Sequence, residues 1–416
     1  MKSKLITYLN NEITGLWINE ENSTVDVILK TNLPIIKSVW LGAPVELVIS
    51  LCTQNNTLAL ALIIYDNKEN PFIVTYPPRE EEEINGLGIL LSGEYRKLTL
   101  SLYDAHTIKT LELTVQPPKK TPCDLYGSIF TDGLFSFQLI SEYKQGIQLL
   151  NDLNDFLSPY NLSHNTMKIA RVPLNVIDKK AFSTEIHEPN DTVLSYEVTV
   201  SKDGSEGYEQ EDHINHALRQ LFSFEDVFVS PTIIEGTKER ELVDSLVVDE
   251  GNILSIQSKA ASLIEVGLKS HQKLCSIYKK KSLQGLNQVA GVIPLLENDL
   301  SIKYNGNEHL IKKRKNIYHL VIISDLLLDK DGDKNVFDKV QEFYTNKGCK
   351  ALVMSLDGLV NFIKLSRLHK PLFWAMMEEK FQASLKHKTV LIRDIDSSQE
   401  HNLPLLAPEH ITDLFK

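Results

Sequence analysis

Three side chains suited to binding metal and phosphate fall on two neighbouring strand-like segments. The stretch RELVDSLVVDEGNILSIQSKA (240–260) contains Asp244, and Gln257 and Lys259 follow after a gap of twelve residues. Alternate residues of a strand share a face, so Gln257 and Lys259 point the same way. A tight turn at 249–252 makes the two strands antiparallel. We therefore expect a carboxylate, an amide and an ammonium to converge at one end of a sheet.

This combination of groups suits hydrolysis of a phosphodiester. Mg²⁺, with Mn²⁺ as an alternative, binds one or two carboxylates together with water and phosphate oxygens. A bound cation polarises the phosphoryl group and lowers the pKa of the attacking water. Asp244, Gln257 and the backbone carbonyl of Ser258 are the predicted metal ligands. Lys259 is predicted to orient the water and to stabilise the charge that develops on phosphorus.

Further carboxylates lie near this pair of strands. Glu211, on the helix that precedes them, is predicted to supply an oxygen through water, and Glu209 is its substitute. Glu241 stands three residues before Asp244, so on a regular strand it faces the other side; either a structural role or an indirect one, supporting the metal ligands, is predicted for it. His213 and His216 lack a third ligand nearby, and we interpret them as a surface pair on the same helix.

The elements that position these residues form the C-terminal half. Helical spacing over 209–223 is followed by three strand-like runs, DVFVSPTII, ELVDSLVVD and NILSIQSKA. A long helix over 261–296, a hairpin (LSIKYNG and EHLIKKRK) and the apolar strand YHLVIISDLLL come next. Helix 334–346, strand KALVMSL, helices across 357–386 and a last strand KTVLIRDI complete the region. This order predicts a mixed sheet covered by helices.

Residues 1–205 have a different sequence pattern, with more strand-like segments. Residues 1–118 read as a β-rich domain, with the spacing of a small sandwich or barrel. Consecutive prolines at 117 and 118 mark its end. Residues 119–205 form a mixed connecting region with an amphipathic helix over 142–157 and strands KIARVPLNV and VLSYEVTVS. The C-terminal domain then spans 206–416, and the overall class is α+β or α/β.

The charge is distributed unevenly along the chain. The net charge is −11, yet the stretch from Lys259 to His319 contains eleven Lys and Arg residues against four acids, a local excess of +7. Solvated helix and hairpin faces would explain this equally well. The alternative is contact with nucleic-acid phosphates. The predicted contacts are Lys269, Lys273, Lys279, Lys280 and Lys281 on the long helix, and Lys312, Lys313, Arg314 and Lys315 after the hairpin.

Composition limits the class of protein. Hydrophobic and charged contents of 42% and 24% are those of a globular protein. The four cysteines form no CxxC pair, which argues against a zinc or disulfide scaffold and suits a reducing compartment. No signal-peptide pattern or long apolar run is present. We expect a cytoplasmic protein that does not enter a membrane. Walker A and Gly-x-Ser-x-Gly motifs are absent from the sequence.

The order of acidic helix, ELVDSLVVD, twelve-residue gap and IQSKA resembles the PD-(D/E)XK nuclease superfamily, in particular its Mrr-type branch with a QxK motif. The resemblance covers roughly residues 205–370. It implies that Asp244, Gln257 and Lys259 occupy the three motif positions and that Glu211 is the helical glutamate. It also implies a restriction-endonuclease-like mixed sheet flanked by helices, placed after the β-rich N-terminal domain. No proline precedes Asp244, and Gln257 contributes no charge.

The resemblance implies a magnesium-dependent endonuclease that acts on DNA, with RNA as an alternative substrate. Members with extra domains often belong to bacterial anti-phage or restriction systems. We therefore expect a partner protein encoded in a defence operon, and homo-oligomerisation is a further expectation. Two alternatives stay open: an inactive nuclease-like scaffold that binds nucleic acid or protein, and a DNA-repair or junction-resolving nuclease. The β-rich domain is predicted to serve recognition, regulation or assembly.

Overall fold

The structure is a computed structural model, and it describes the greater part of the chain. The described residues are 2–11, 14–52, 57–66, 71–76, 78, 81–116, 167–187, 193–197, 206–261, 271–366 and 369–391. They form a mixed α/β protein with several sheets and eight helices, which confirms the predicted combination of helices with mixed sheets. Among these helices, none is both long and apolar enough to cross a membrane. The predicted helix at 142–157 lies outside the described residues.

An eight-stranded sheet dominates the N-terminal half. Its elements are α1 (Lys2–Asn11), β1 (Gly15–Glu21), β2 (Thr24–Lys30), α2 (Leu33–Trp40), β3 (Val45–Cys52), β4 (Thr57–Ile64), β5 (Phe72–Tyr76), α3 (Glu81–Ser92), β6 (Lys97–Tyr103), β7 (Lys109–Gln116) and β8 (Met167–Ala181). The strand order is β1-β2-β6-β7-β8-β3-β4-β5. The sheet curls, since the rings of Trp17 on β1 and Tyr76 on β5 lie 5.8 Å apart.

Strand β8 joins the two parts of this sheet. Its first half, from Met167 to Leu174, pairs with β3, and its second half, from Asn175 to Ala181, pairs with β7. Residues 167–181 were predicted to lie in the connecting region, and they form a central strand of the N-terminal sheet. A short hairpin of β9 (Ser183–His187) and β10 (Val193–Glu197) follows.

The C-terminal half contains two further sheets. Its elements are α4 (Glu206–Leu221), β11 (Val227–Val229), β12 (Thr232–Glu235), β13 (Lys238–Glu241), β14 (Ser245–Val248), β15 (Asn252–Lys259), α5 (His271–Leu296), β16 (Leu300–Tyr304), β17 (Asn307–Ile311), β18 (Asn316–Ile323), α6 (Lys330–Lys347), β19 (Lys350–Ser355), α7 (Leu356–Leu365) and α8 (Lys370–His387). The main sheet has the order β11-β14-β15-β18-β19, and a smaller one has the order β13-β12-β16-β17. β14 and β15 are antiparallel, as predicted, and β15, β18 and β19 are parallel.

Two segments predicted as single strands are each divided between these sheets. Ser230 adopts a left-handed φ of 46°, and Pro231 has no N–H to donate, so the first run breaks into β11 and β12. Leu242 and Val243 break the second run into β13 and β14. The two breaks lie side by side, because Ser230 N donates to the Asp244 carbonyl at 2.9 Å and Leu242 N to the Pro231 carbonyl at 2.8 Å. Asp244 therefore follows a crossing from one sheet to the other.

Helices cover both faces of the main sheet. Gln210 of α4 bonds to Ser258, so α4 lies on the face towards which Ser258 points. A Cβ placed on Gly285 of α5 would meet Val321, so α5 lies on the opposite face. The Asp329 carboxylate caps α6 at Gly332 N, and Ser355 caps α7. Residues 389–391 form no strand, and the rest of the predicted last strand lies outside the described residues.

The N-terminal and C-terminal halves share one apolar core. A single cluster of buried side chains includes Leu29 and Ile36 of the first half together with Leu218 and Ile322 of the second. A separate small cluster around Ile233 and Ile302 lies beneath the four-stranded sheet. Polar contacts add to this core, since Lys364 of α7 donates to the Ala105 carbonyl. The two halves therefore pack against each other through one continuous apolar core.

Candidate active site

Asp244 and Lys259 meet at one edge of the main sheet. Ser245 pairs with Ile256, so Asp244, one step further, stands opposite the end of β15. Asp244 Oδ2 accepts a hydrogen bond from Ser258 N at 2.5 Å and lies 3.8 Å from Lys259 Nζ. Both side chains retain some exposure, 14% for Asp244 and 19% for Lys259. The predicted convergence of carboxylate and ammonium is present in the structure.

The predicted carbonyl ligand also lies in this group. Lys259 Nζ donates to the Ser258 carbonyl at 2.6 Å. The Ser258 backbone thus donates to Asp244 through its N–H and accepts from Lys259 through its C=O. A cation at this carbonyl would compete with the ammonium group for the same lone pairs.

Gln257 is the most enclosed of the three motif residues. It pairs with Val321 on β18, whose side chain lies against Gly285 of α5. Residues in register on neighbouring strands share a face, so Gln257 points to the side that α5 covers. Its exposure is only 4%. The amide lies beneath the helix, on the other side of the sheet from Ser258.

The pKa of the Glu211 carboxyl is strongly raised at this site. Burial and, to a smaller extent, the neighbouring carboxylates of Asp244 and Glu241 together raise the pKa of this carboxyl to about 7, while Lys259 opposes them. Burial likewise raises the pKa of Asp244, against the lowering effects of Lys259 and the Ser258 N–H. Neighbouring carboxylates thus disfavour charge on Glu211, and carboxyls with raised pKa values are a property of catalytic and metal-binding sites.

The predicted orientation of Glu241, on the opposite face from Asp244, needs correction. The opposite-face argument assumed a regular strand from Glu241 to Asp244, and that assumption is wrong because the chain changes sheets at Leu242 and Val243. Glu241 instead raises the pKa of both Glu211 and Asp244. It therefore belongs to the electrostatic surroundings of the site.

Glu209 is engaged elsewhere. Its Oε2 lies 2.8 Å from Nζ of Lys37 on α2, and the two side chains are only 10% and 11% exposed. This buried ion pair ties α4 to the N-terminal half. The predicted substitute for Glu211 thus serves as a contact between the halves of the protein.

Gln210 and Ser324 were not found from the sequence. Gln210 Nε2 donates to Ser258 Oγ at 2.9 Å and to the Ile322 carbonyl at 3.3 Å, and its Oε1 accepts from Ser324 Oγ at 2.7 Å. A signal was available, because Gln210 falls on the apolar stripe of α4 that continues through Ile214 and Leu218. A polar residue on a buried stripe needs hydrogen-bonding partners inside the protein.

The histidines of α4 are not a surface pair. His213 is 1% exposed, and its ring lies 5.8 Å from the ring of His106, which also lies 5.0 Å from that of His216. His106 belongs to the β6–β7 turn of the N-terminal half. Burial, reinforced by Lys37 and His216, lowers the pKa of His213 to about 3. The prediction failed because the covering partner lies more than a hundred residues away in the chain.

The predicted phosphate contacts separate into two groups. Lys273 and Lys279–Lys281 lie on the first half of α5, which follows the site end of β15, whereas Lys269 lies outside the described residues. Lys312–Lys315 precede β18, and Asn316 pairs with Asn252 at the start of β15. Lys259 ends β15, seven residues later, so roughly 23 Å of strand separates it from this second group.

A surface groove of about 670 Å³ lies at that far edge. Two of its lysines form ion pairs: Lys370 pairs with Asp249 in the groove and with Asp226 beside it, and Lys350 pairs with Glu378. Trp374 Nε1 donates to Asp249 Oδ2 at 2.8 Å.

Comparisons with known proteins assign no family. The chain matches no protein-family model and no curated protein sequence. Within the part of the chain that the structure describes, no group of three or more His, Cys, Asp and Glu side chains is arranged to hold a metal ion. The chemistry must therefore be argued from the site itself.

Proposed function

We propose that this protein is a metal-dependent nuclease with a restriction-endonuclease-like C-terminal domain. The observation that carries the proposal is the convergence of Asp244, Lys259 and the Ser258 peptide at one sheet edge, 2.5–3.8 Å apart. The order α4, β11, β14, β15, α5, β18 also agrees with the core that the resemblance implies, an acidic helix before three strands, a helix and a further strand.

The donor set suits a hard divalent cation. Burial raises the pKa of both Asp244 and Glu211, and nearby carboxylates add to it, Glu241 at both groups and Asp244 at Glu211; a cation would relieve this repulsion. With the Ser258 carbonyl, Asp244 and Glu211 would supply oxygen ligands of the type that Mg²⁺ or Mn²⁺ prefers. Gln257 is a weaker candidate ligand because its side chain is almost fully buried. When bound, the cation would supply Lewis-acid activation of phosphate and water.

The chain's own residues have distinct roles in this mechanism. Lys259, held beside Asp244 at 3.8 Å, provides positive charge for a phosphoryl group and hydrogen bonds that orient a water. Glu211 would supply the second carboxylate oxygen for the cation, whose charge would favour the ionised form of this carboxyl. Asp244 keeps Lys259 and the Ser258 peptide in place. Glu241 maintains the negative potential that raises the Glu211 pKa.

DNA is the proposed substrate, with RNA as the alternative, and Lys273 and Lys279–Lys281 would contact phosphates near the scissile bond. Lys312–Lys315, roughly 23 Å from Lys259 along the strand, would contact a phosphate about seven base pairs away, or a different part of the polymer. The Lys37–Glu209 pair connects the N-terminal half to the helix that carries Glu211. This connection supports a regulatory N-terminal half, as in an effector that a partner protein activates, for which bacterial defence is the proposed setting.

The test is cleavage of four polymers by the purified chain: supercoiled plasmid, linear duplex, single-stranded DNA and RNA. Each is incubated with Mg²⁺, Mn²⁺ or EDTA. Lys259→Ala is compared with Lys339→Ala, a matched control on α6, where the lysine pairs with Glu342 at 2.9 Å far along the chain from the site. Cleavage that requires metal and is lost only in Lys259→Ala supports the proposal. Cleavage that survives Lys259→Ala refutes the assigned site.

A nuclease-like scaffold is the second candidate. Two observations favour it. Gln257 is buried, and the Lys259 ammonium group occupies the Ser258 carbonyl to which a cation would bind. Mn²⁺ binding by calorimetry separates the candidates. Binding that is lost in Asp244→Ala, without cleavage of any polymer, indicates a nuclease that awaits a partner. Nucleic-acid binding that is independent of metal and of Asp244 indicates the scaffold.

A further inference from the structure

Strand β17 forms one open edge of the four-stranded sheet. Its residues, Asn307–Ile311, pair with β16 on one side, and among the described residues no strand pairs with the other side. The opposite edge of the sheet is β13, whose four side chains (KERE) are all charged, and charged side chains hinder pairing with a further strand. β17 carries one ionised side chain, on Glu308, so it has little of this protection.

The turn between β16 and β17 decides which backbone groups of β17 point outwards. Asn305 and Gly306 form this turn with φ of 49° and 77°, as in the two-residue turns that close β-hairpins. The pair beside such a turn, Tyr304 with Asn307, exchanges both backbone hydrogen bonds, and bonded and non-bonded pairs alternate from there. Every second residue from Glu308 onwards therefore directs its N–H and C=O groups away from β16, to the open edge.

The side chains of these outward-bonding residues lie in one row on the exposed face of the sheet. Glu308, Leu310 and Lys312 are all exposed, and Leu310 is 63% exposed. Leu310 pairs with Ser301, and the register of β12 on β16 places Ile234, 56% exposed, beyond Ser301 on the same face. The open edge thus presents an apolar side chain between a carboxylate and an ammonium group.

We propose that the open edge of β17 binds the same edge of a second copy of this chain. A two-fold axis at Leu310 makes the two strands antiparallel, with Leu310 opposite its counterpart. Glu308 of each copy then stands opposite Lys312 of the other, and opposite charges in this position favour pairing. The residues that meet are also those whose backbone groups point outwards, so the ladder of hydrogen bonds continues across the axis. A symmetric register centred on Glu308 would oppose two carboxylates.

The length of the paired segment limits the strength of this contact. Lys313 N donates to Asp299 Oδ1 at 2.8 Å, which holds the chain after Lys312 at the start of β16. A contact this short buries less than the roughly 1,000 Å² that a permanent interface needs. We therefore expect a reversible dimer that forms above about 10 μM. The pairing needs only β17 and does not rest on the proposed nuclease function.

Sedimentation velocity of the full chain, from about 1 μM to about 1 mM, measures the Kd of the dimer. Leu310→Pro removes an outward N–H that makes no bond to β16, so the hairpin itself remains. Leu310→Lys places two ammonium groups opposite each other. Ile177→Lys is the matched control, because Ile177 on β8 is also 63% exposed. Both Leu310 variants should raise the Kd by about tenfold or more, and Ile177→Lys should leave it unchanged.

A charge exchange tests the register. Glu308→Lys and Lys312→Glu each place like charges opposite each other at two positions, and each should raise the Kd by about tenfold. The double variant Glu308→Lys/Lys312→Glu restores opposite charges across the axis. Its Kd should return to within about threefold of the wild-type value. Circular dichroism verifies the fold of every variant, and if Leu310→Pro does not fold, the charge variants decide.

The outcomes separate this inference from the proposed function. A wild type that stays monomeric up to about 1 mM overturns the pairing, and so does a Kd that responds alike to Leu310→Lys and Ile177→Lys. A double charge variant that dimerises no better than the single ones also overturns it. Recovery in the double variant supports the pairing. The nuclease proposal is tested on Lys259, outside β17, so either proposal can fail while the other stands.

Discussion

A methyl group added at Gly285 tests how closely α5 packs on the sheet behind Gln257. A Cβ at this position would lie 2.3 Å from Val321 Cγ1 and 3.1 Å from Cγ2. Carbon atoms pack best at about 3.5–4.0 Å, so helix and strand would have to separate by more than about 1 Å. Overpacking of this kind costs about 1–3 kcal/mol of unfolding free energy.

Helix propensity opposes this cost. Replacing glycine by alanine inside a helix stabilises it by about 1 kcal/mol. Gly291 lies on the same helix, and a Cβ there would meet nothing within 4 Å, so Gly291→Ala should gain the propensity term alone. The term is common to both variants, and their difference isolates the steric cost. We expect Gly285→Ala to be less stable than Gly291→Ala by about 1–3 kcal/mol.

Urea denaturation at pH 7, followed by circular dichroism, measures both variants against the wild type. The linear dependence of unfolding free energy on urea gives the difference directly. Because Val321 pairs with Gln257, the same displacement should also weaken Mn²⁺ binding in Gly285→Ala if Gln257 contributes to it. Equal stabilisation of the two variants would refute the close packing of α5 on Val321.

Three further outcomes are expected. Mn²⁺ affinity should rise as pH increases from 6 to 8, because Glu211 with its pKa of about 7 becomes a carboxylate over this range; calorimetry should find no such inflection in Glu211→Gln. Lys37→Met should lower the unfolding free energy by about 3 kcal/mol, because it leaves the largely buried Glu209 carboxylate without this cation. The double variant Lys37→Met/Glu209→Gln should regain more than half of the lost unfolding free energy. If the effects of the two substitutions simply add, the Lys37–Glu209 ion pair does not couple them. His213 stays neutral in the folded protein down to about pH 3, whereas the same histidine in the unfolded chain is protonated below about pH 6.5. Protonation therefore stabilises the unfolded chain, so the free energy of unfolding is unaffected by His213 above pH 6.5 and falls as the pH drops below it. Between pH 7 and pH 5 the wild type should lose about 2 kcal/mol more than His213→Leu, and equal losses would contradict the buried state of His213.

The predictable part of the site depends on short-range geometry. The strands β14 and β15 are joined by a tight turn, and a period of two decides which side chains share a face. These rules place Lys259 near Asp244 without knowledge of the remaining chain. The helical spacing of α4 and the amphipathic run of α5 are local properties of the same kind.

The unpredicted part depends on contacts between distant segments. Ser230 and Pro231 break one strand where Leu242 and Val243 break another, and only the pairing of the two breaks shows that the chain changes sheets. Glu241 enters the site through that crossing. His213 is buried by His106, and the sequence contains no local sign of this contact. Long-range pairing of this type cannot be read from periodicity.

The position of β8 has a consequence for the order in which the protein is made. Synthesis runs from the N-terminus, so β1–β7 emerge as two separate half-sheets, β1-β2-β6-β7 and β3-β4-β5. Until residues 167–181 leave the ribosome, β3 and β7 keep unpaired edges rich in apolar side chains. Such edges pair readily with other chains. We expect nascent chains that stop before β8 to require chaperones, and chains that include β8 to require them less.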